Sequence, residues 1–565
     1  MGEFVTTPGR GAGIRRSFLV VCVLLAAALL VAPAQAAPSD LDPSFGTGGK
    51  VLTDIAPNGI AQALALQPDG KIIAVGSAPG SGESIFALAR YNPDGSPDTT
   101  FGSGGVVTTD FSFSGVFGGG ATAVALQPDG KIIAVGSSAF QNFALARYKP
   151  DGSLDSTFGS GGKVTIDFGF ADASALAVIV DPAGTIRVAG VRRPFNLSSI
   201  DFALARFNAD GSLDSTFGAG GKVVSPFGPL NGTSIFAERF QPDGKILAAG
   251  IAFENFAPFG SNGDFALARY NADGSVDTGF GTNGRLTTDF NGSDDEARGV
   301  AIQADGKIVA AGSSGAIPQF ALTRYNPDGS LDSSFGVGGK VTTNVSPIAG
   351  NGARAVAIEA GGDVLAAGSA FTGVASGGSD DFALLRYTAA GALDSSFGTG
   401  GTVITDFAGG NDRANALALQ PDGRIVAAGF AFDGTVVDFA LARYSGTATA
   451  LEVTIDIQPG GFPNAINPRS KGTIPVAILS ASDFNAPSQV DTTSLKFGRT
   501  GNESSLAFCS SPQDVNGDGL LDLVCHFTSE KTGFQTGDTQ GMLTGKTVTG
   551  TPIRGTDSVV IVPPT

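Results

Sequence analysis

The sequence predicts an all-β chain. A seven-bladed β-propeller occupies residues 41–444, closed by its own N-terminal strand, and a β-sandwich follows over 451–565. Three observations predict this. First, 83 Gly and 30 Pro stand among 565 residues, with 42% hydrophobic and only 15% charged residues. So many turn formers oppose long helices, and so much apolar character opposes disorder. Second, one unit of four short strands recurs seven times. Third, the chain enters and leaves that repeat at complementary points inside a unit.

The repeat rests on three separate landmarks. An FGxGG-like element places Phe45, Phe101, Phe158, Phe217, Phe280, Phe335 and Phe397 at intervals of 55 to 63 residues. FALARY-like segments place Arg90, Arg147, Arg206, Arg269, Arg324, Arg386 and Arg443. QPDG-like turns begin at Gln67, Gln127, Asp181, Gln241, Gln303, Glu359 and Gln420. Within the first unit, 61–67 alternates small and large side chains. Pro68-Asp69-Gly70 then turns the chain, because Pro presets φ and Gly accepts a positive one. KIIAVG over 71–76, FALARY ending at Tyr91 and VVTTDF over 106–111 are the remaining strands. Four strands with no helical period read as an antiparallel meander, and seven meanders fit a propeller. Units three and six replace PDG with Pro182-Ala183-Gly184 and Ala360-Gly361-Gly362, which weakens the turn expectation there.

The ends carry the closure argument. The chain enters at Leu41-Asp42-Pro43-Ser44-Phe45-Gly46 and leaves after Tyr444, lacking the piece that the N-terminus supplies. A strand over 51–55 then completes the blade made by 413–444 and removes both exposed edges. The motifs PDGKIxAxG and FALxRYxxDGSLDxxFGxGGKV, with their period, resemble the delta-60 repeat family of exported bacterial proteins. That resemblance implies a propeller-like scaffold and no assigned chemistry.

Residues 1–36 read as a signal peptide: Arg10, Arg15 and Arg16, then an uncharged apolar run over 18–32, then Ala34-Gln35-Ala36. The run is short of the roughly 20 residues that span a bilayer. Its removal takes the formal charge from −17 to −19. Such acidity opposes nucleic acid and bare phospholipid surfaces as partners and suits divalent cations. Export places the chain in the periplasm, at the cell surface or outside the cell, where Cys509 and Cys525 are candidates for a disulfide. No other apolar run is long enough to span a membrane.

Two connections per unit vary greatly, for example SAPGSGESI after Gly76 against VRRPFNLSSID after Gly190. They share one face, where propellers place binding loops; unconstrained drift gives the same pattern. The repeated Arg pairs with the repeated Asp of the SLD element (Asp98, Asp155, Asp214) as a structural ion pair. On the variable face, Asp264/Asp289, Asp381/Asp406 and Asp438/Asp54 are expected neighbours, and Gln319/Asn344 is their neutral counterpart. Capping of loop N–H groups is one reading of these pairs and a weak cation site the other. Glu238 and Arg239 fall where unit one has Leu64 and Ala65. An ionisable pair on the innermost strand suggests a channel lining and, as the alternative function, a carbohydrate-active enzyme.

After a linker at 445–450, residues 451–565 carry short strand candidates separated by Pro and Gly, the pattern of a β-sandwich. Asp514-Val515-Asn516-Gly517-Asp518-Gly519-Leu520-Leu521-Asp522 matches D-x-[DN]-x-D-G-x-x-D. Asp514, Asn516, Asp518 and Asp522 offer side-chain oxygens and Leu520 its carbonyl, the hard donors that calcium takes. Cys525 stands where an EF-hand has its bidentate Glu, and an apolar strand follows instead of a helix. The loop resembles those of FG-GAP or dockerin-type modules. The lone His526 reads as a strand residue. The combined expectation is an exported binding or structural scaffold for an extracellular ligand, glycan or protein, with no catalytic residue assigned.

Overall fold

The computed structural model describes residues 40–446 and 451–562, apart from 57, 81–83, 112–118, 139–141, 170, 195–199, 227–233, 254–262, 347–349, 375–376, 462, 482–483, 502 and 549–551. Residues 1–36, read above as a signal peptide, most of the expected linker and much of the variable connections therefore lie outside the described residues.

Residues up to Tyr444 form seven antiparallel four-stranded sheets. In the first, Ile60–Leu66, Ile72–Pro79, Ser84–Tyr91 and Val106–Thr109 follow one another as neighbours. Blades two to six repeat that order, starting at Ala121, Ala171, Ser234, Asp295 and Asn351. The seventh sheet runs Asp412–Leu419, Ile425–Phe432, Val437–Tyr444 and then Lys50–Thr53. Lys50 faces Ala442 and Thr53 faces Phe439 across that last pairing.

The local sequence explains each blade. The Gln67 N–H bonds the Lys71 carbonyl, the Gly70 N–H bonds the Gln67 carbonyl, and Gly70 takes φ 81°. The units without PDG make the same turn: Gly184 and Gly362 donate to Asp181 and Glu359 at φ 85° and 89°. Each first strand carries a bulge near its start, such as the extra residue between Ala61 and Ala63. A Cβ on the facing Gly76 would lie 1.9 Å from the Ile60 carbonyl oxygen, so the second strand needs glycine there.

Apolar clusters lie between blades as well as within them. Ile73, Val75, Phe86, Leu88 and Phe101 of blade one pack with Ala121, Ile132, Ala134 and Tyr148 of blade two. Two polar devices repeat across the same junctions. Arg90 Nε donates to Asp98 at 2.8 Å and Nη1 donates to the Pro150 carbonyl of the next blade, while the guanidinium lies 4.5 Å from the Phe101 ring centre. Arg443 repeats this with Asp42, the Pro93 carbonyl and Phe45, from the chain's end to its beginning. The repeated Arg and Asp are thus structural partners. The second device is a Tyr hydroxyl on a Thr hydroxyl of the preceding blade, as in Tyr91–Thr53 and Tyr148–Thr109, both at 2.8 Å. Where Ile166 replaces the Thr, Phe207 replaces the Tyr, and the pair packs as hydrocarbon.

The C-terminal segment forms two further four-stranded sheets. One runs Leu451–Glu452, Pro552–Ser558, Gln540–Thr547, Val490–Gly498; the other runs Ile455–Ile457, Thr473–Ile478, Leu523–Thr528, Leu506–Cys509. Ile457, Val476, Phe497, Phe527 and Leu543, drawn from both sheets, share one buried cluster. A short helix, Ala486–Gln489, is capped by the Asn485 side chain. No helix among the described residues is long and apolar enough to cross a membrane.

Candidate functional site

The 514–522 loop is built from side chains bonding its own backbone. Asp514 accepts the N–H groups of Gly517 and Gly519 at 2.7 and 2.9 Å. Asn516 accepts the Asp518 N–H and donates to Asp518 Oδ2. Asp518 Oδ1 accepts the Leu520 N–H at 2.8 Å. Gly517 and Gly519 adopt φ 77° and 87°, which the tight curl requires. Asp522 differs: it is fully buried and accepts the N–H groups of Ser480 and Val515 at 2.7 and 3.0 Å. It anchors the loop, while Asp514, Asn516, Asp518 and Leu520 are exposed. A disulfide joins Cys509 to Cys525, 16 residues apart, and closes the segment that carries the loop. His526 lies on the strand beyond and stacks on Phe508 at 4.4 Å.

The donor set is all oxygen, which suits a hard cation. The carboxylates of Asp514, Asp518 and Asp522 do not form one of the close three-carboxylate groups among the described residues. Among the described residues, two groups bring three carboxylates together with one oxygen each within 4.8 Å: Asp264–Asp289–Asp295 and Asp381–Asp406–Asp412. Each contains an expected pair from strands three and four plus a third Asp opening the next blade. That third member escaped the sequence reading. Its signal was the six-residue spacing in DFNGSDD and DFAGGND, which unit five lacks.

Backbone capping accounts for much of these groups. Asp289 accepts the Gly292 N–H and Asp406 the Gly409 N–H. Asp295 and Asp412 accept the N–H groups of Phe290 and Phe407 at 2.7 and 2.8 Å. Burial, with the charges of Asp381 and Asp406 beside it, pushes the Asp412 carboxyl up to about 7. The folded chain then holds a proton that the unfolded chain releases near pH 4. The resulting stability is full below about pH 4 and is lost as pH rises toward about 7. Asp412→Asn stays neutral throughout. It is expected to remove that slope and to gain about 1–2 kcal/mol at pH 8, discounted for solvent screening. Thermal melts across that range check this, and an unchanged slope would clear Asp412 of the effect.

Glu238 requires a correction: it does not line the channel. It faces Ala248 in the register that gives Leu64, Val124, Val178, Val300, Val356 and Leu417 to the other blades. Those residues pack between blades. Glu238 is 8% exposed and both its oxygens are buried with no hydrogen-bond partner. The upstream bulge, between Ile235 and Ala237, sets which residues turn inward. Burial raises the Glu238 carboxyl well above its ordinary range. Arg239, in contrast, is exposed.

The sequence reading also missed three arginines on the inner strands, Arg298, Arg354 and Arg413. Their signal was a basic residue within the first four positions of a strand that carries none there in units one to four.

Seven segments, 67–101, 127–158, 184–217, 241–280, 303–335, 362–397 and 420–446, match the model of a family described as "Domain of unknown function (DUF5122) beta-propeller". No curated protein matches the chain. Among solved structures, Sqt1 from Chaetomium thermophilum is 11% identical, covering 70% of this chain and 83% of that one, with a TM-score of 0.38. The PQQ-bound aldose sugar dehydrogenase from Streptomyces coelicolor is 14% identical, covering 60% and 96%, at 0.33. The propeller domain of the Trilobed protease from Pyrococcus furiosus is 12% identical, covering 68% and 94%, at 0.34. At these values the likenesses carry no functional argument.

Proposed function

We propose that this chain is an exported binding or structural scaffold: a seven-bladed propeller closed by its N-terminal strand, presenting a variable-loop face, with a C-terminal β-sandwich. One observation carries this reading. The ionic groups that recur from blade to blade, Arg with Asp and the next blade's carbonyl, are spent on holding blades together. The features that differ between blades, and so distinguish one ligand from another, lie in the connections of one face and on the inner strands. Burial of Glu238 counts against the alternative, a carbohydrate-active enzyme using channel carboxylates such as this one. Incubating the full chain with a panel of glycans and cell-wall polymers tests the reading. Retention without turnover is expected, and new reducing ends or unsaturated products would overturn it.

We infer further that the 514–522 loop takes calcium, with Asp514, Asn516, Asp518 and Asp522 holding it by side chains and Leu520 by its carbonyl. The ion would supply a cross-link between the exposed arc and the anchored Asp522, beside the Cys509–Cys525 bridge. Asp518→Ala is expected to lower the melting temperature by a few degrees in calcium and to leave it unchanged in chelator. Equal loss in both conditions would mean that Asp518 acts through its own hydrogen bonds to Leu520 and Asn516.

A further inference from the structure

The first strands of blades five, six and seven, which contact one another in succession, carry three part-buried arginines near their starts. Arg298 is the extra residue of the bulge between Ala297 and Gly299, and Arg354 that of the bulge between Ala353 and Ala355. Arg413 lies one residue before the corresponding bulge pair of blade seven. The equivalent bulge residues of blades one to four and seven are uncharged: Gln62, Thr122, Leu176, Phe236 and Asn415. The positive charge is therefore confined to one side of the ring.

Two of the three are held in place. Glu296 takes both Nε and Nη2 of Arg298, at 2.5 and 2.8 Å, and the Arg298 guanidinium lies 4.6 Å from the Phe236 ring centre. The Arg413 guanidinium lies 4.9 Å from the Phe430 ring centre, and its Nε is buried without a hydrogen-bond partner. Arg354 stands between them. The charged groups that act on it are Arg413, Arg298 and, more weakly, Glu296. Burial and the two like charges hold its guanidinium down to about 10, so it remains protonated at neutral pH. Among the described residues, the Arg354 side chain forms neither a hydrogen bond nor an ion pair. Glu296 is committed to Arg298, and Asp380 is the carboxylate whose charge acts on Arg413. Arg298 and Glu296 keep about a quarter of their side-chain surface open, so water and small solutes reach the cluster.

Like-charged guanidiniums brought together in part-buried positions repel one another, and the arrangement is costly without a counter-charge. The planar fork of Arg matches the two oxygens of a carboxylate, sulfate or phosphate. The chain's formal charge of −17 opposes long polyanions. It does not oppose a small anion already at the cluster, because charges further off than a Debye length of roughly 8 Å are largely screened. We propose that the arginine cluster of blades five to seven binds a small oxyanion, or one oxyanion group of a larger ligand, through the free fork of Arg354 with Arg298 and Arg413 beside it. This gives the binding scaffold a ligand chemistry, and it rests on that reading only for its biological use.

The test is isothermal titration of the full chain with sodium acetate, glucuronate, sulfate and phosphate at millimolar concentration, against sodium chloride at matched ionic strength. Acetate and glucuronate test the carboxylate arm; sulfate and phosphate test the tetrahedral arm. At least one arm is expected to bind saturably, with affinity falling tenfold or more in Arg354→Gln and again at high sodium chloride. Sulfate and phosphate stabilise folded proteins generally when concentrated, so the difference between wild type and variant is the decisive quantity. Absence of saturable heat from every anion in the wild type overturns the proposal, as does equal affinity in a folded Arg354→Gln. Arg354→Lys, which keeps the charge and loses the fork, is expected to fall between the two. A wild type that binds none of the anions yet retains a polymer in the panel above would sink this site and leave the scaffold reading standing.

Discussion

Deleting residues 41–55 is expected to abolish cooperative unfolding of the seven-sheet ring. Phe45, Val51 and Ile55 are buried to 9% exposure or less and belong to the cluster shared by blades seven and one. Burial of side chains of this size is worth about 1.5–3 kcal/mol each. Asp42 is also lost, and Arg443, whose side chain is 1% exposed, keeps its charge without its carboxylate. Breaking one side of a buried pair costs roughly 3–5 kcal/mol. Tyr91 loses the Thr53 hydroxyl, and Val437–Tyr444 becomes an open sheet edge. These losses together match the whole net stability of an ordinary domain, about 5–15 kcal/mol. Calorimetry is expected to show a broad or absent ring transition and proteolysis to begin in blade seven. Asp42→Ala alone is expected to lower stability by about 3 kcal/mol with the transition still cooperative. A deletion variant that melts like the intact chain would mean the ring holds without its N-terminal strand.

Much of the fold was legible because its signals are local backbone necessities. A PDG turn needs proline before and glycine at a positive φ, and the substituted turns at Gly184 and Gly362 keep the glycine that matters. The Arg, Asp and Phe of the clamp recur with the repeat, so their partnership is visible before any coordinates. Other features depend on register between strands, which residue order alone does not fix. The bulge on each first strand shifts every following side chain to the opposite face. That shift turned Glu238 from the channel into a blade junction. The third carboxylates, Asp295 and Asp412, come from the unit after the pair they join, so counting within one unit does not find them. The exchange of Tyr–Thr for Phe207–Ile166 was readable as paired substitution between units once the two positions were known to touch. In the C-terminal segment, spacing gave Asp514 and Asp518 their place on a curled loop. It gave no hint that Asp522 would be buried with both oxygens on backbone N–H groups of Ser480 and Val515.

Glu238→Leu is expected to stabilise the chain, because the wild-type residue works against the packing around it. Unit one carries Leu64 at this position and unit seven Leu417, each packed on an interblade cluster. Glu238 instead brings two oxygens without hydrogen-bond partners into the junction of blades three and four, where Tyr270 stacks on Phe202 at 3.8 Å. The Tyr270 hydroxyl is also without a partner, since Ser225, in the place of the usual Thr, bonds the Gly274 carbonyl. An unpaired polar group in such a place costs about 1–3 kcal/mol, and a leucine there regains apolar contact of similar size. The gain depends on pH. Burial raises the Glu238 carboxyl well above its ordinary value, so the folded chain keeps a proton that the unfolded chain releases above about pH 4.5. Its contribution is full below that pH and is lost as pH rises toward the elevated folded value. The leucine variant should therefore exceed wild type by about 2 kcal/mol at pH 8, with a smaller margin at pH 5. Glu238→Gln separates the two causes: it removes the titration and leaves the polar group, so it should flatten the pH slope without the full gain. If the leucine variant melted below wild type at pH 8, Glu238 would have to hold a partner at this junction, and the orphaned Tyr270 hydroxyl beside it would be the first place to look.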